Sequence, residues 1–234
     1  MQRLNIEESE NPHFIGAWQL DDLSICDDIV EFFDFQRDQQ DEGSVGLGTV
    51  DKTVKNSRDL IIQPRDLENE DHAPLNAYID QLHQCYLAYT EEWPFFAGFV
   101  SRLHIGRFNI QRYDQGGHFN QVHSERTSLN TIHRLLVWMT YLDDVPDGGE
   151  TEFIHYGLKI RPEKGKTLIW PAEWTHAHRG CPVNKGPKHV RNINSSMKLI
   201  ASGDGFKKIN INFQGDELNE SNIPRFHDIP QNIS

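Results

Sequence analysis

Basic residues are scarce in this chain relative to acidic ones: 23 Lys and Arg stand against 35 Asp and Glu, a formal net charge of −12 over 234 residues. A surface that acidic repels phosphate backbones and anionic lipid, which argues against nucleic acid and membrane surfaces as partners. Cysteine is scarce too. Cys26, Cys85 and Cys181 are widely separated, odd in number and form no CxxC pair, so neither a disulfide framework nor a zinc ribbon fits. No apolar run approaches the roughly 20 residues that span a bilayer, and the opening MQRLNIEESE lacks the basic-then-apolar progression of a secretory leader. The expectation is a soluble cytoplasmic protein, bacterial or phage-encoded. What the chain does have is a globular composition, 37% hydrophobic and 25% charged, rich enough in apolar side chains to bury a core unaided. It also has 12 histidines, more than packing alone calls for, so the question is whether any converge with carboxylates.

Residues 21–37 open on Asp21, Asp22 and Ser24 and then place Cys26, Ile29, Val30 and Phe33 at helical spacing. This predicts an amphipathic helix with a capped, acid-rich start. Pro74 opens a second, with Leu75, Tyr78, Ile79, Leu82, Tyr86 and Tyr89 on one face. The polar, glycine-bearing stretch between them reads as loop with one strand at Leu60-Ile61-Ile62, either a substrate lid or an inert connection. From about Phe99 the pattern changes to short β-type runs, among them FNIQRY, GHFNQVH, RLLVWMTYL, KTLIWP, WTHAHRG and MKLIAS, separated by turn sequences such as DQGG and DDVPDGG. The predicted fold is mainly β with flanking helices, a double-sheet β core packed against the N-terminal helices. The boundaries are a helical cover over 1–98, a core over 99–213 and a polar tail over 214–234.

On a strand, residues i and i+2 share a face, so His123 and Glu125 would aim an imidazole and a carboxylate into one space. A third ligand must come from elsewhere. The run Trp174-Thr175-His176-Ala177-His178 offers two histidines. A set of two nitrogens and one oxygen on one side of a cation is the facial triad that favours non-haem Fe(II) and leaves coordination positions open.

The text from Tyr113 to Val190 is extended and ordered: YDQGGHFNQVHSE, then HRLLVWMTYLDDVPDGGETEF, then LKIRPEKGKTLIWPAEWTHAHRGCPVNKGPKHV. It resembles the catalytic core of the prolyl 4-hydroxylase-like Fe(II)/2-oxoglutarate dioxygenases, whose pattern runs from a Tyr and Gly-rich turn through HxD, an Arg-led strand and GGET to a His followed ten residues later by Lys. The resemblance implies a double-stranded β-helix, or jelly-roll, that hydroxylates an unactivated C–H bond and releases succinate and CO2. It implies Fe(II), 2-oxoglutarate and O2 as cofactor and cosubstrates, with ascorbate a further candidate. By the same resemblance His123, Glu125 and His178 hold the iron, while Tyr113 and Lys188 hold the far carboxylate of 2-oxoglutarate. Glu125 departs from the usual Asp by one methylene; a carboxylate of either length argues against a halide site there. Spacing favours Lys188, and Lys198 in MKLIASG is the alternative anchor.

His176, on the face of His178, stands as a rim or supporting histidine. His118, His133 and His155 read as ordinary surface or core histidines, and Trp138 and Trp170 as core. Trp174 is the best candidate for a pocket wall. Arg134 and Arg179 are placed to orient carboxylates. The implied substrate is a prolyl or other amino-acid residue in a peptide or protein; a free small molecule and a metal-binding jelly-roll without oxygenase activity are the alternatives.

Overall fold

The computed structural model describes residues 1–4, 12–46, 48–100, 103–129, 131–185 and 194–202, the last of these by backbone alone. Lys188 and the tail from residue 203 lie outside the described residues. Among the described residues there are three α-helices, α1 (Ser24–Phe35), α2 (Ala73–Glu92) and a short α3 (Pro94–Phe99). The strands that precede the core are β1 (Gln2–Arg3), β2 (Gly16–Gln19), β3 (Gln40–Glu42), β4 (Lys55–Asn56), β5 (Arg58–Ile62) and β6 (His104–Ile105). The core strands are β7 (Phe108–Tyr113), β8 (His118–His123), β9 (Arg134–Tyr141), β10 (Asp147–Gly148), β11 (Thr151–Phe153), β12 (Leu158–Ile160), β13 (Lys166–Pro171), β14 (His178–Gly180), β15 (Val183–Lys185) and β16 (Asn194–Ser202).

Among the described residues the larger sheet runs β1-β2-β13-β9-β16-β7-β5-β3, with β6 paired to β16, and the smaller runs β12-β11-β14-β8-β4. β10 and β15 pair as a separate two-stranded ribbon, and the core strands divide between the two main sheets, with β7, β9, β13 and β16 in the larger and β8, β11, β12 and β14 in the smaller, the winding of a double-stranded β-helix. Period-two alternation in β9 assigns its two faces. Leu136 and Trp138 join the cluster made with Ile25, Ile29 and Phe33 of α1 and Leu75, Tyr78 and Leu82 of α2. Val137, Met139 and Tyr141 point the other way, into the layer between the sheets with Phe153, Leu158, Ile160 and Trp170. Each such side chain taken fully from water contributes about 1.5–3 kcal/mol, so the helical cover and the two-sheet interior are both substantial cores. The cover is also pinned by a polar chain: the Tyr78 hydroxyl lies 2.7 Å from Thr140 Oγ1, which lies 2.7 Å from Thr167 Oγ1.

Three expectations change. The stretch between α1 and α2 is more than a loop with one strand, since β4 pairs with β8 in the smaller sheet and β5 with β7 in the larger. The helix α1 starts one turn later than the acidic cluster, with the Asp22 carboxylate accepting from the Ser24 N–H at 2.9 Å just ahead of it rather than capping its first turn. The run WTHAHRG is not one strand. Residues Trp174–His176 form a 3-10 turn closed by His176 N–H to Glu173 O, and β14 begins only at His178.

Candidate metal centre and its cavity

The antiparallel register of β14 against β8 places His178 directly opposite His123. Side chains opposite one another share a face, and the two rings lie 4.5 Å apart between centroids. Glu125 sits just past the end of β8, where the chain bends back. Its Oε1 is 3.5 Å from His123 Nε2 and 3.8 Å from His178 Nε2, and the three ligand atoms all fall within 4.8 Å of one another. Each imidazole is held from behind. His123 stacks on Phe119 at 4.0 Å, and His178 packs against Trp170 and Phe153.

The tautomers follow from hydrogen bonding. His123 Nδ1 lies 2.9 Å from Gln121 O, and His178 Nδ1 lies 2.9 Å from His176 O. A carbonyl only accepts, so each Nδ1 carries a proton and each Nε2 is left facing the Glu125 carboxylate. Two imidazole nitrogens and one carboxylate, converging from one side, are the donor set of a divalent facial site. Ligands about 2.1 Å from one ion and at right angles to each other stand roughly 3 Å apart, so small inward movements of these side chains suffice to hold one.

Arg134 answers the question of what a longer carboxylate does here. Its Nη1 donates to the Glu125 carbonyl at 3.1 Å and approaches Oε2 at 3.4 Å, so the extra methylene is held in a fixed geometry. Burial lowers the Arg134 pKa and the neighbouring Glu125 opposes that shift. Arg179, the other arginine singled out, donates from Nε to Glu152 at 2.7 Å, away from the triad.

Beside the triad a pocket, partly open to solvent, lies between the sheets. It is lined by His123 and His178 together with Gln111, Tyr113, Met139, Tyr141 and Thr151. The Tyr113 hydroxyl donates to Gln111 Oε1 at 3.1 Å. Burial first, and then the charges of Asp59 and Glu125, push its pKa far above the ordinary tyrosine value, so it stays a neutral donor. Gln111, Tyr141 and Thr151 were not singled out from the sequence. Counting back by two from Tyr113 would have found Gln111, and Thr151 is the last letter of GGET. The Tyr141 hydroxyl donates to Thr151 Oγ1 at 2.6 Å.

Two side chains lie elsewhere than expected. His176 does not share the face of His178: the 3-10 turn rotates it away, and its Nε2 lies 2.8 Å from His13 O. Trp174 is 69% exposed, meets His155 edge-on at 6.0 Å and is not a wall of the cavity. Trp138 and Trp170 are buried in the core.

This fold and site define a class: a double-stranded β-helix around a two-histidine, one-carboxylate centre. Residues 108–195 match the family model of the 2OG-Fe(II) oxygenase superfamily, so this part of the chain is similar to that superfamily. It is 32% identical over 120 residues to a probable prolyl 4-hydroxylase 9 of Arabidopsis thaliana, covering 40% of this chain and 42% of the relative. It is 30% identical over 92 residues to the human prolyl 4-hydroxylase subunit alpha-1, covering 36% and 16%. The chain thus spans well under half the length of these curated relatives. Among solved structures it resembles the viral collagen prolyl hydroxylase of Paramecium Bursaria Chlorella virus-1, with a TM-score of 0.58 and 15% identity over 82% of this chain and 97% of the other. It also resembles a Trichoplax adhaerens prolyl hydroxylase in complex with a hypoxia inducible factor peptide fragment, with a TM-score of 0.61 and 12% identity over 82% and 84%. At those identities the likeness is one of fold.

Proposed function

We propose that this protein is an Fe(II)- and 2-oxoglutarate-dependent dioxygenase that hydroxylates a prolyl or other amino-acid residue of a peptide or protein. The observation that carries the proposal is the cross-strand pair His123 and His178 with Glu125 at the mouth of a cavity between the two sheets. Iron held by these three residues would couple oxidative decarboxylation of 2-oxoglutarate by O2, giving succinate and CO2, to conversion of a C–H bond into C–OH, one oxygen atom entering succinate and the other the hydroxyl.

The chain's own contribution is binding and orientation. His123 and His178 present Nε2 because their backbone carbonyl partners fix the Nδ1 protons, and Arg134 holds Glu125 in place. Tyr113 offers a buried neutral O–H to the far carboxylate of the cosubstrate. A dicarboxylate lodged between the two sheets also needs a fixed cation. For that cation we take Lys198 over Lys188. Lys198 stands opposite Met139 on β9 and Asn109 on β7, and Ser196 stands opposite Tyr141 and Gln111. Those neighbouring strands, β7 and β9, carry cavity residues Gln111, Tyr113, Met139 and Tyr141. On this reading the ten-residue spacing to Lys188 is coincidental.

A peptide or protein substrate is supported by the relatives, one of which is solved with a peptide bound. Three free cysteines fit a reducing, cytoplasmic setting. Among the described residues no helix is long and apolar enough to cross a membrane.

The test is an anaerobic titration of Fe(II) and 2-oxoglutarate into metal-free protein, followed by the visible metal-to-ligand charge-transfer band, and then succinate release with proline-bearing peptides. The band should appear in the native protein and vanish in His178→Ala. Its absence from folded native protein would overturn the proposal in favour of a metal-binding jelly-roll without oxygenase activity. Succinate release stimulated by free amino acids and not by peptides would overturn the substrate class.

A further inference from the structure

A buried ion pair lies at the corner where the two sheets meet. Lys55, on β4, pairs in register with Phe119 of β8, and Asp59, on β5, pairs with Gln111 of β7. Both side chains are almost fully buried, at 3% and 5% exposure, and their charged ends form a salt bridge. A hydrophobic pair of similar volume would serve stability as well or better, so packing alone gives no reason for two charges there.

The hydrogen bonds give one. Asp59 Oδ2 accepts from Gln111 Nε2 at 2.9 Å as well as from Lys55, and Asp59 Oδ1 accepts from Ser57 Oγ at 2.7 Å. A carboxylate paired with an ammonium only accepts, so the Gln111 amide must present its NH2 to Asp59. That turns Gln111 Oε1 toward Tyr113, whose hydroxyl must then donate to it. The polarity of the whole chain, Lys55 to Asp59 to Gln111 to Tyr113, is therefore set by the charge at its buried end. Gln111 and Tyr113 both line the cavity, and the Lys55 ammonium lies 5.6 Å from the ring of Phe119, which lines it too.

The geometry points to Lys55 and Asp59 as positioning residues for the cosubstrate end of the cavity, acting on the Tyr113 hydroxyl through Gln111. This rests on the reading of that cavity as a 2-oxoglutarate site. With the relay intact the tyrosine O–H is parked on a neutral amide oxygen, which an arriving carboxylate, being charged, outcompetes with little rearrangement. Without it the Gln111 side chain is free to rotate and offer an N–H to the phenol oxygen, and the tyrosine loses its fixed position. The β4–β5 segment is thereby part of the cosubstrate site as well as of the sheet edges.

The experiment is a calorimetric titration of 2-oxoglutarate into Fe(II)-loaded protein without oxygen, for the native chain, Asp59→Asn, Gln111→Met, Tyr113→Phe and the double variant Gln111→Met/Tyr113→Phe. Gln111→Met cuts the relay while leaving Asp59 with Lys55 and Ser57, so it answers the question even if Asp59→Asn does not fold. We expect about tenfold weaker binding in Asp59→Asn and Gln111→Met. In the Tyr113→Phe background, Gln111→Met should weaken binding less than twofold further, because its effect runs through the missing hydroxyl. Unchanged affinity in Gln111→Met, or the same tenfold loss in both backgrounds, would overturn the relay and leave the 2-oxoglutarate site standing. Native protein that binds Fe(II) but no 2-oxoglutarate would overturn the proposed function and this inference with it.

Discussion

The three-hydroxyl chain that ties α2 to the larger sheet gives a prediction in which two mutations do less harm than one. Tyr78, Thr140 and Thr167 are all fully buried, and Thr140 is the middle member. Tyr78→Phe removes one outer hydroxyl and leaves Thr140 bonded to Thr167, so it should cost about 1 kcal/mol, the net value of one hydrogen bond. Thr140→Val is nearly isosteric but takes the partner from both neighbours. Thr167 retains the Cys85 thiol beside it, whereas the Tyr78 hydroxyl is stranded at about 1–3 kcal/mol. Adding the lost Thr140–Thr167 bond and subtracting about 0.8 kcal/mol for the extra buried methyl leaves a net loss near 2–3 kcal/mol. In Tyr78→Phe/Thr140→Val the stranded hydroxyl is gone, and the cost should return to about 1 kcal/mol. The double variant should therefore be more stable than Thr140→Val, with a coupling of about 1–3 kcal/mol, read by urea denaturation at constant m and supported by melting temperatures that move about 2–4 °C per kcal/mol. Additive losses would refute the chain as the link between cover and sheet.

Arg134→Gln should weaken Fe(II) binding about tenfold in an anaerobic titration, since the guanidinium fixes Glu125 at both its carbonyl and its carboxylate; unchanged affinity would mean that Glu125 orients itself. Burial raises the Asp143 pKa to about 6, above its unfolded value near 3.9, so the stability tied to its protonated form is full below about pH 4 and is lost as pH rises through 6. Asp143→Asn should accordingly be the more stable protein at pH 8, by about 1 kcal/mol once solvent screening of this partly exposed group is allowed for, with the gap closing toward pH 4; a pH-independent difference would refute it. Gly148→Ala should lower the melting temperature by several degrees, because φ is +80° there and a Cβ would lie 2.2 Å from Pro182 O; a variant that melts with the native protein would show that the β10–β15 pairing yields easily.

What the sequence revealed and what it hid divide along a physical line. The helix α2 was legible because it buries one face, so period and burial coincide in Leu75, Tyr78, Ile79 and Leu82, and strand β9, buried on both faces from Leu136 to Tyr141, was legible as a short apolar run between turn sequences. His123 and His178 were legible through their motif, and the structure pairs them across two strands. The strands β4 and β5 were partly hidden because Lys55 and Asp59 read as loop residues, and their burial depends on a partner four residues away and on Gln111, 52 residues away from Asp59. His176 was misplaced because alternation was assumed through Trp174–His176, where a 3-10 turn resets the face. Local periodicity assigns faces only within an unbroken element.

The location of the metal centre follows from how the two sheets are joined. Its two histidines face each other in the smaller sheet, while Gln111, Tyr113, Met139 and Tyr141 of the cavity belong to the larger one. On the proposed function, a ligand chelating a metal there at one end and held by Tyr113 at the other would bridge both sheets, so its affinity would depend on their separation. The segment carrying β4 and β5 sets that separation at one corner, since consecutive residues of a single stretch pair with β8 on one side and β7 on the other. An ion pair inside that corner brings no net gain in stability over an apolar pair of similar volume, but its carboxylate also accepts from Gln111, which ties the corner to the cavity by a directional bond.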